Sequence, residues 1–278
     1  MAEASAVRLR PGVFRTAGRA WRSTWDALLQ MPFAFLITAL ATVLLSVALS
    51  FLGVSRTQAL AQAGHPTPTD SGWTAAVVAL ASLCTLVFQS LTVAPLAIAI
   101  HRFVLLGERS PLLPVVPLGR VLRFAGWLIA LGVASSIPAL LNLVPLPGAT
   151  LVGFAILIVV TVVLMRLTLL FPAVAVQAPG EPARLGWRET RWQFWRIFAV
   201  LFVTGLPALL VGGAILLLVL RFDPAATPQS ALQETFSSPL WSVFDVLSVA
   251  LGAAAASWLF VGYRLAPGAH EGVPAVPE

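Results

Sequence analysis

A charged group inside an apolar helix costs about 2.5 to 3.5 kcal/mol on insertion scales, so such groups are the first places to look for chemistry. Arg166 is one, with apolar residues running from Leu151 before it to Ala178 after it. His101 and Arg102 close another apolar run. Together with Arg166 they could face one anion, a lipid phosphate or an anionic solute, because each supplies a cation or a donor. Gln89, Ser90 and Thr92 form a polar patch inside the same run, suited to lining a path or to hydrogen-bonding a neighbouring helix. Asp245 stands one turn into the last apolar run, within reach of water. A plainer reading stays open for the cations. If the helix of Arg166 ends near Leu170, the guanidinium snorkels to the headgroups and Pro172 begins an interfacial segment. His101 and Arg102 would then mark only the basic end of a helix.

Catalysis inside a membrane needs paired acids, a His-rich metal site, or a nucleophile beside a base. The other two histidines, His65 and His270, fall in a loop and in the tail, and no H-E-x-x-H pair occurs. No apolar run holds two acids. The expectation is a protein that is not an enzyme, with no metal and no cofactor. The single cysteine, Cys84, allows no intramolecular disulfide and reads as a small buried hydrophobe.

The elements that must carry these residues follow from composition. Apolar residues make up 59% of the 278 and charged residues 10%, against about 25% charged in soluble domains. Six segments reach the roughly 20 residues needed to cross a hydrocarbon core of about 30 Å. They are Phe33 to Leu52, Ala75 to Leu105, Phe124 to Leu143, Ala149 to Leu170, Ile197 to Leu220 and Leu240 to Tyr263. The first is longer than a signal-peptide core and reads as a retained helix. The expected fold is all-α, a polytopic bundle of six transmembrane helices over residues 33–265. A basic amphipathic segment, 1–32, precedes it, and a Pro- and Gly-rich tail, 266–278, follows as a disordered segment.

All seventeen basic residues are Arg, and the formal net charge is +6. Such a balance could suit nucleic acid, but the Arg residues flank the apolar runs, where they set orientation and meet anionic lipid. Between successive spans they divide into fourteen on one side and two on the other, with Arg166 apart. That asymmetry predicts an inner-membrane-type protein with both termini in the cytoplasm. The tryptophans fall near span ends, as an amphipathic indole at headgroup level would.

Two surface helices are expected on the cytoplasmic side. In the N-terminal segment Phe14, Trp21, Trp25 and Leu28 share one face and Arg15, Arg19, Arg22 and Asp26 another, feeding the first span through Pro32. Arg184 to Arg196 repeats the pattern, with Trp192 and Trp195 set against Arg184, Arg188 and Arg191. The chain also divides into three hairpins, and Gly107-Glu108 precedes Arg123 by the interval at which Gly180-Glu181 precedes Arg196.

Two stretches carry a family resemblance: PLAIAIHRFVLLGE at the end of the second span, and RLTLLFPAVAVQAPGEPARLGWRETRWQFWRIF between the fourth and fifth. They resemble uncharacterised bacterial six-helix integral membrane proteins, similar to the membrane domain attached to some glycerophosphodiester phosphodiesterases. The phosphodiesterase domain itself has no counterpart here. The resemblance implies a membrane role connected with envelope lipids. The expected partners are membrane lipids, anionic ones included, and a membrane protein, with no nucleic acid. The leading expectation is thus a non-enzymatic organiser of lipids or partner proteins. A transporter or channel for a small solute or lipid is the alternative, since Pro95, Pro138, Pro172 and Pro207 interrupt the spans. A membrane-embedded lipid enzyme comes third.

Overall fold

The computed structural model describes residues 12–51, 71–109, 116–141, 149–178, 181–190, 193–222 and 239–263. The loops at 53–70, 142–148 and 223–238, the tail at 266–278, and His65 and His270 lie outside the described residues. The described elements are helical: α1 Val13–Gln30, α2 Pro32–Phe51, α3 Ser71–Leu106, α4 Leu118–Leu141, α5 Ala149–Leu167, α6 Leu170–Val176, α7 Pro182–Glu189, α8 Phe194–Phe222 and α9 Pro239–Gly262. Hydrocarbon offers nothing to bond the backbone, so each spanning segment must satisfy its own N–H and C=O groups, as a helix does. The hydroxyls obey the same constraint: Thr38, Thr42, Thr85, Thr92, Ser135, Thr161 and Ser248 each donate to the carbonyl four residues back.

Five of these helices are long and apolar enough to cross a membrane, and the bent pair α1 and α2 raises the number to six when counted as one span. The protein is an all-α polytopic membrane bundle. Its outer surface is apolar, with Leu36, Leu40, Leu151, Phe154, Leu209 and Leu210 exposed on α2, α5 and α8. Cys84 is exposed as well, so the expectation of a buried thiol is corrected: it is a small apolar group on the outer face of α3.

At the centre stand α3 and α9. The last helix packs against α1, α2, α3, α6 and α8. Such close company requires small side chains, and Ala250, Ala253, Ala254, Ala255, Ala256 and Ser257 supply them, all buried. Gly132 of α4 does the same against α3, since a Cβ there would lie 2.5 Å from a methyl of Leu86.

Several boundaries depart from the sequence expectation. The third span starts at Leu118 rather than near Phe124, because Arg120 and Arg123 lie in the first two turns of α4 instead of in a loop. The fourth stops at Leu167. After a turn at Thr168 and Leu169, α6 follows, with Leu170, Pro172, Ala173, Val174, Ala175 and Val176 all buried. The segment read as interfacial is therefore a buried helix, held among α3, α4 and α9. It ends on Gln177 in the left-handed region (φ 54°), with Ala178 N–H donating to the Ala173 carbonyl and Gln177 N–H to that of Val174. The second amphipathic helix is also shorter than expected. Thr190 ends α7 by donating its hydroxyl to the Gly186 carbonyl at 2.7 Å, and Trp195 and Arg196 belong to the first turn of α8. Arg191 and Trp192 lie outside the described residues.

Candidate functional site

Two pairs of polar side chains in the interior fall on one seam. Gln89 on α3 donates its amide N–H to Asp245 Oδ2 on α9 at 2.6 Å. Twelve residues further on, His101 Nδ1 lies 2.7 Å from Ser257 Oγ. Both pairs are separated by 156 positions, so α3 and α9 run parallel in one register, with polar contacts about 18 Å apart along the axes. The Ser257 hydroxyl already donates to the Ala253 carbonyl at 2.9 Å. It can only accept from the imidazole, which places the proton of a neutral His101 on Nδ1. The ring is 1% exposed and packs on Phe124 of α4, which in turn packs on Phe171 of α6.

The polar patch expected from the sequence therefore separates. Gln89 faces α9, Ser90 is buried, and Thr92 spends its hydroxyl on the Phe88 carbonyl. Asp245 is held by Gln89 rather than standing alone at the water boundary.

The three candidate anion ligands each take a different partner. His101 closes the α3–α9 seam. Arg102, its neighbour, turns outward and holds Glu108 in a two-pronged contact, Nε to Oε2 at 2.7 Å and Nη2 to Oε1. Gly107 makes this possible: its φ of 66° ends α3, with its N–H on the Phe103 carbonyl, and folds Glu108 back over the helix. Arg120, at the start of α4, is the further basic neighbour of this pair, within electrostatic reach of both Arg102 and Glu108. Reading the sequence as short basic turns left Arg120 among the topological charges, although its place in the first turn of α4 is what brings it here.

Arg166 sits elsewhere. Its guanidinium lies 4.6 Å from the centre of the Trp187 ring on α7, a cation–π contact. Thr190 Oγ1 lies 3.3 Å from the Arg166 carbonyl, and a Cβ on Gly186 would lie 3.5 Å from it. Arg166 thus packs on a neighbouring helix instead of pointing free into headgroups. It fastens α7 to the junction of α5 and α6.

A second basic surface is α1. Its helix has three faces. Thr16, Ala17, Ala20, Thr24 and Ala27 are buried against the bundle. Phe14, Trp25 and Leu29 point away from the protein, 79%, 62% and 65% exposed. Arg15, Arg19 and Arg22 lie between. Met31 and Pro32 turn the chain by 92° into α2. Docking is specific: Trp21 Nε1–H donates to the Thr204 carbonyl of α8 at 3.1 Å, and Trp258 Nε1–H of α9 donates to Ser23 Oγ at 2.9 Å. Arg19 lies over the Trp258 ring, 5.2 Å from its centre. Among the described residues no three His, Cys, Asp or Glu side chains gather to hold a metal ion. No protein family, curated protein or solved structure matches the chain.

Proposed function

We propose that this is a non-enzymatic protein of a bacterial inner membrane that organises anionic envelope lipid, or a membrane partner, through its basic end. The single observation that carries this reading is α1. A helix at right angles to a spanning helix lies along the membrane surface, and this one turns Phe14 and Trp25 away from the bundle with Arg15 and Arg22 exposed beside them, while Arg19 lies over the Trp258 ring. Burying Trp and Phe among acyl chains while Arg meets phosphate is how such a helix binds an anionic surface. The Arg distribution along the chain supports a cytoplasmic location for this end and for both termini. The two stretches that resemble bacterial six-helix membrane proteins support the same setting.

The test is lipid retention. Protein purified in mild detergent and returned to mixed bilayers should enrich phosphatidylglycerol over phosphatidylcholine, and the triple variant R15Q/R19Q/R22Q should lose most of that enrichment. Equal retention of both lipids by the natural chain would end the proposal. Orientation is checked separately on a Cys84→Ser background. Cysteines placed at Thr67 or Thr227 should react with an impermeant reagent outside intact cells, and one at Ser110 should not.

A second reading, a transporter, is favoured by the Gln89–Asp245 pair, an acid held inside an apolar bundle. Proteoliposomes containing the natural chain should then move a solute that the Asp245→Asn variant does not. A broad solute panel without flux would discard it.

A further inference from the structure

Asp245 places a carboxylate on a spanning helix, and its pairing is incomplete. Gln89 donates one amide hydrogen to Oδ2. The other oxygen, Oδ1, accepts no hydrogen bond among the described residues, and the side chain is only half-buried, so a ligand atom can reach it. Asp245 makes no ion pair among the described residues. Arg221, in the last turn of α8, lies about 13 Å beyond Gly212 along that helix, away from Asp245. A neutral amide leaves the charge standing, and a charge at membrane depth costs up to about 3.5 kcal/mol until one of opposite sign meets it.

The face of α9 around Asp245 is shaped for more than helix packing. Trp241, Asp245, Ser248 and Gly252 follow one another along it at helical spacing, with Phe244 at its edge. The rings of Trp241 and Phe244 lie with their centres 4.9 Å apart. Trp241 crosses to α8, where a Cβ on Gly212 would lie 3.3 Å from the edge of its ring. Below that ring the two helices do not close up. Beyond Thr204 α8 buries none of its described residues, and Gly252 is exposed, with nothing within 4 Å of where its Cβ would stand. The Ser248 hydroxyl gives its proton to the Phe244 carbonyl, so it offers only lone pairs. The result is a groove between α8 and α9, with an aromatic pair at one end, a carboxylate in its wall and open space at Gly252.

We propose that this groove binds a small organic cation, an ammonium carried on an apolar body. Oδ1 of Asp245 meets the charge, the rings of Trp241 and Phe244 add the attraction of their π faces, and the body lies along α9 toward Gly252. From Asp245 to Gly252 the helix rises about 10 Å, the length of an amine bearing one ring or a short chain. A bare metal ion suits the groove less well. It needs several oxygens around it, and the described side chains on this face offer the carboxylate and one hydroxyl. The proposal deepens the transport reading by naming its substrate class, but binding is measured apart from flux.

The experiment measures binding of radiolabelled phenethylammonium to the full chain in detergent by equilibrium dialysis, with phenylethanol as the uncharged control and sodium as a competitor. Thermal unfolding first establishes that each variant is folded. The natural chain should bind the amine saturably, and phenylethanol should not compete. Asp245→Asn keeps the shape and an oxygen for Gln89 but removes the charge, and it should weaken binding about tenfold or more. Gly252→Leu has room for its Cβ and should weaken binding severalfold by filling the groove. It serves as the readout if the Asp245 variant does not fold. Binding unchanged in either folded variant, or competition by phenylethanol as strong as by unlabelled amine, would overturn the site. Displacement of the amine by equimolar sodium would overturn it too, since the groove would then be taking a metal ion. The two readings separate cleanly. Amine that binds in this pattern but does not cross proteoliposomes discards the transport reading and leaves the site standing. Absence of saturable binding removes the site, even if some other solute is moved.

Discussion

The seam between α3 and α9 and the basic end of the bundle treat polar groups in opposite ways. Along the seam Gln89 has Asp245, and His101 has Ser257, which is itself satisfied by the Ala253 carbonyl. At the basic end cations outnumber acids, Arg15, Arg19 and Arg22 are exposed along α1, and the same helix exposes Phe14 and Trp25. Interior pairs that spend hydrogen bonds on each other hold helices together and leave little besides the second oxygen of Asp245 to offer a ligand. Unspent donors beside exposed aromatics do the reverse. The comparison teaches that the apolar interior spends cross-helix polar groups on one another, whereas α1 keeps aromatic and basic side chains at the surface.

Four measurements would break or sharpen that contrast. The largest effect should come from the seam. Ala254 is fully buried in the central helix, and Ala254→Leu should cost about 3 kcal/mol by forcing α9 away from its neighbours, seen as a lower unfolding temperature in detergent. Next, a double-mutant cycle on Gln89→Leu and Asp245→Leu should give a coupling near the upper bound of about 1.7 kcal/mol for a hydrogen bond between membrane helices. The same cycle on His101→Leu and Ser257→Ala should give a smaller coupling, about 0.6 kcal/mol, the average for such bonds. Coupling near zero at both levels would mean that the seam does not hold the bundle together, and the contrast would fail. At the basic end, Trp25→Ser should change stability in detergent by less than about 0.5 kcal/mol, since the ring touches no core, while weakening binding to anionic bilayers. A large loss of stability there would make α1 a structural strut.

Much of the architecture is legible in the sequence because membrane crossing imposes length and apolarity locally. The helix α1 and its turn at Pro32 are local too, but its faces differ from the expected two: Phe14 and Trp25 are exposed, Leu28 packs on the core, and Thr16, Ala17, Ala20, Thr24 and Ala27 form a buried third face. What the sequence does not show is which element meets which. A helical pattern says that Gln89 has a polar side chain to satisfy, not that its partner is 156 residues away. Arg102 and Glu108 are only six residues apart, yet their contact depends on the left-handed Gly107 between them. The run Leu170 to Val176 is equally suited to lipid and to a protein core, so its burial was decided by the shape of the surrounding helices. The two Gly-Glu steps that suggested a repeat also diverge in space: Glu108 reaches back to Arg102, and Glu181 reaches forward to Arg184 at 2.7 Å.

The right angle between α1 and α2 has a mechanical consequence. Most spanning bundles meet a thicker or thinner bilayer by leaning, with helices averaging about 20° of tilt. Here an eighteen-residue arm, about 27 Å long, is bolted at Trp21 and Ser23 to α8 and α9, and on the reading proposed above it lies across the membrane surface. Leaning the bundle would lift one end of that arm out of the headgroups and drive the other toward the acyl chains, exposing Arg or stripping Trp of its interface. The arm works as an outrigger, and the cheaper response to a change in thickness is for the surrounding lipid to stretch or compress. A protein braced in this way imprints its own thickness on the membrane around it.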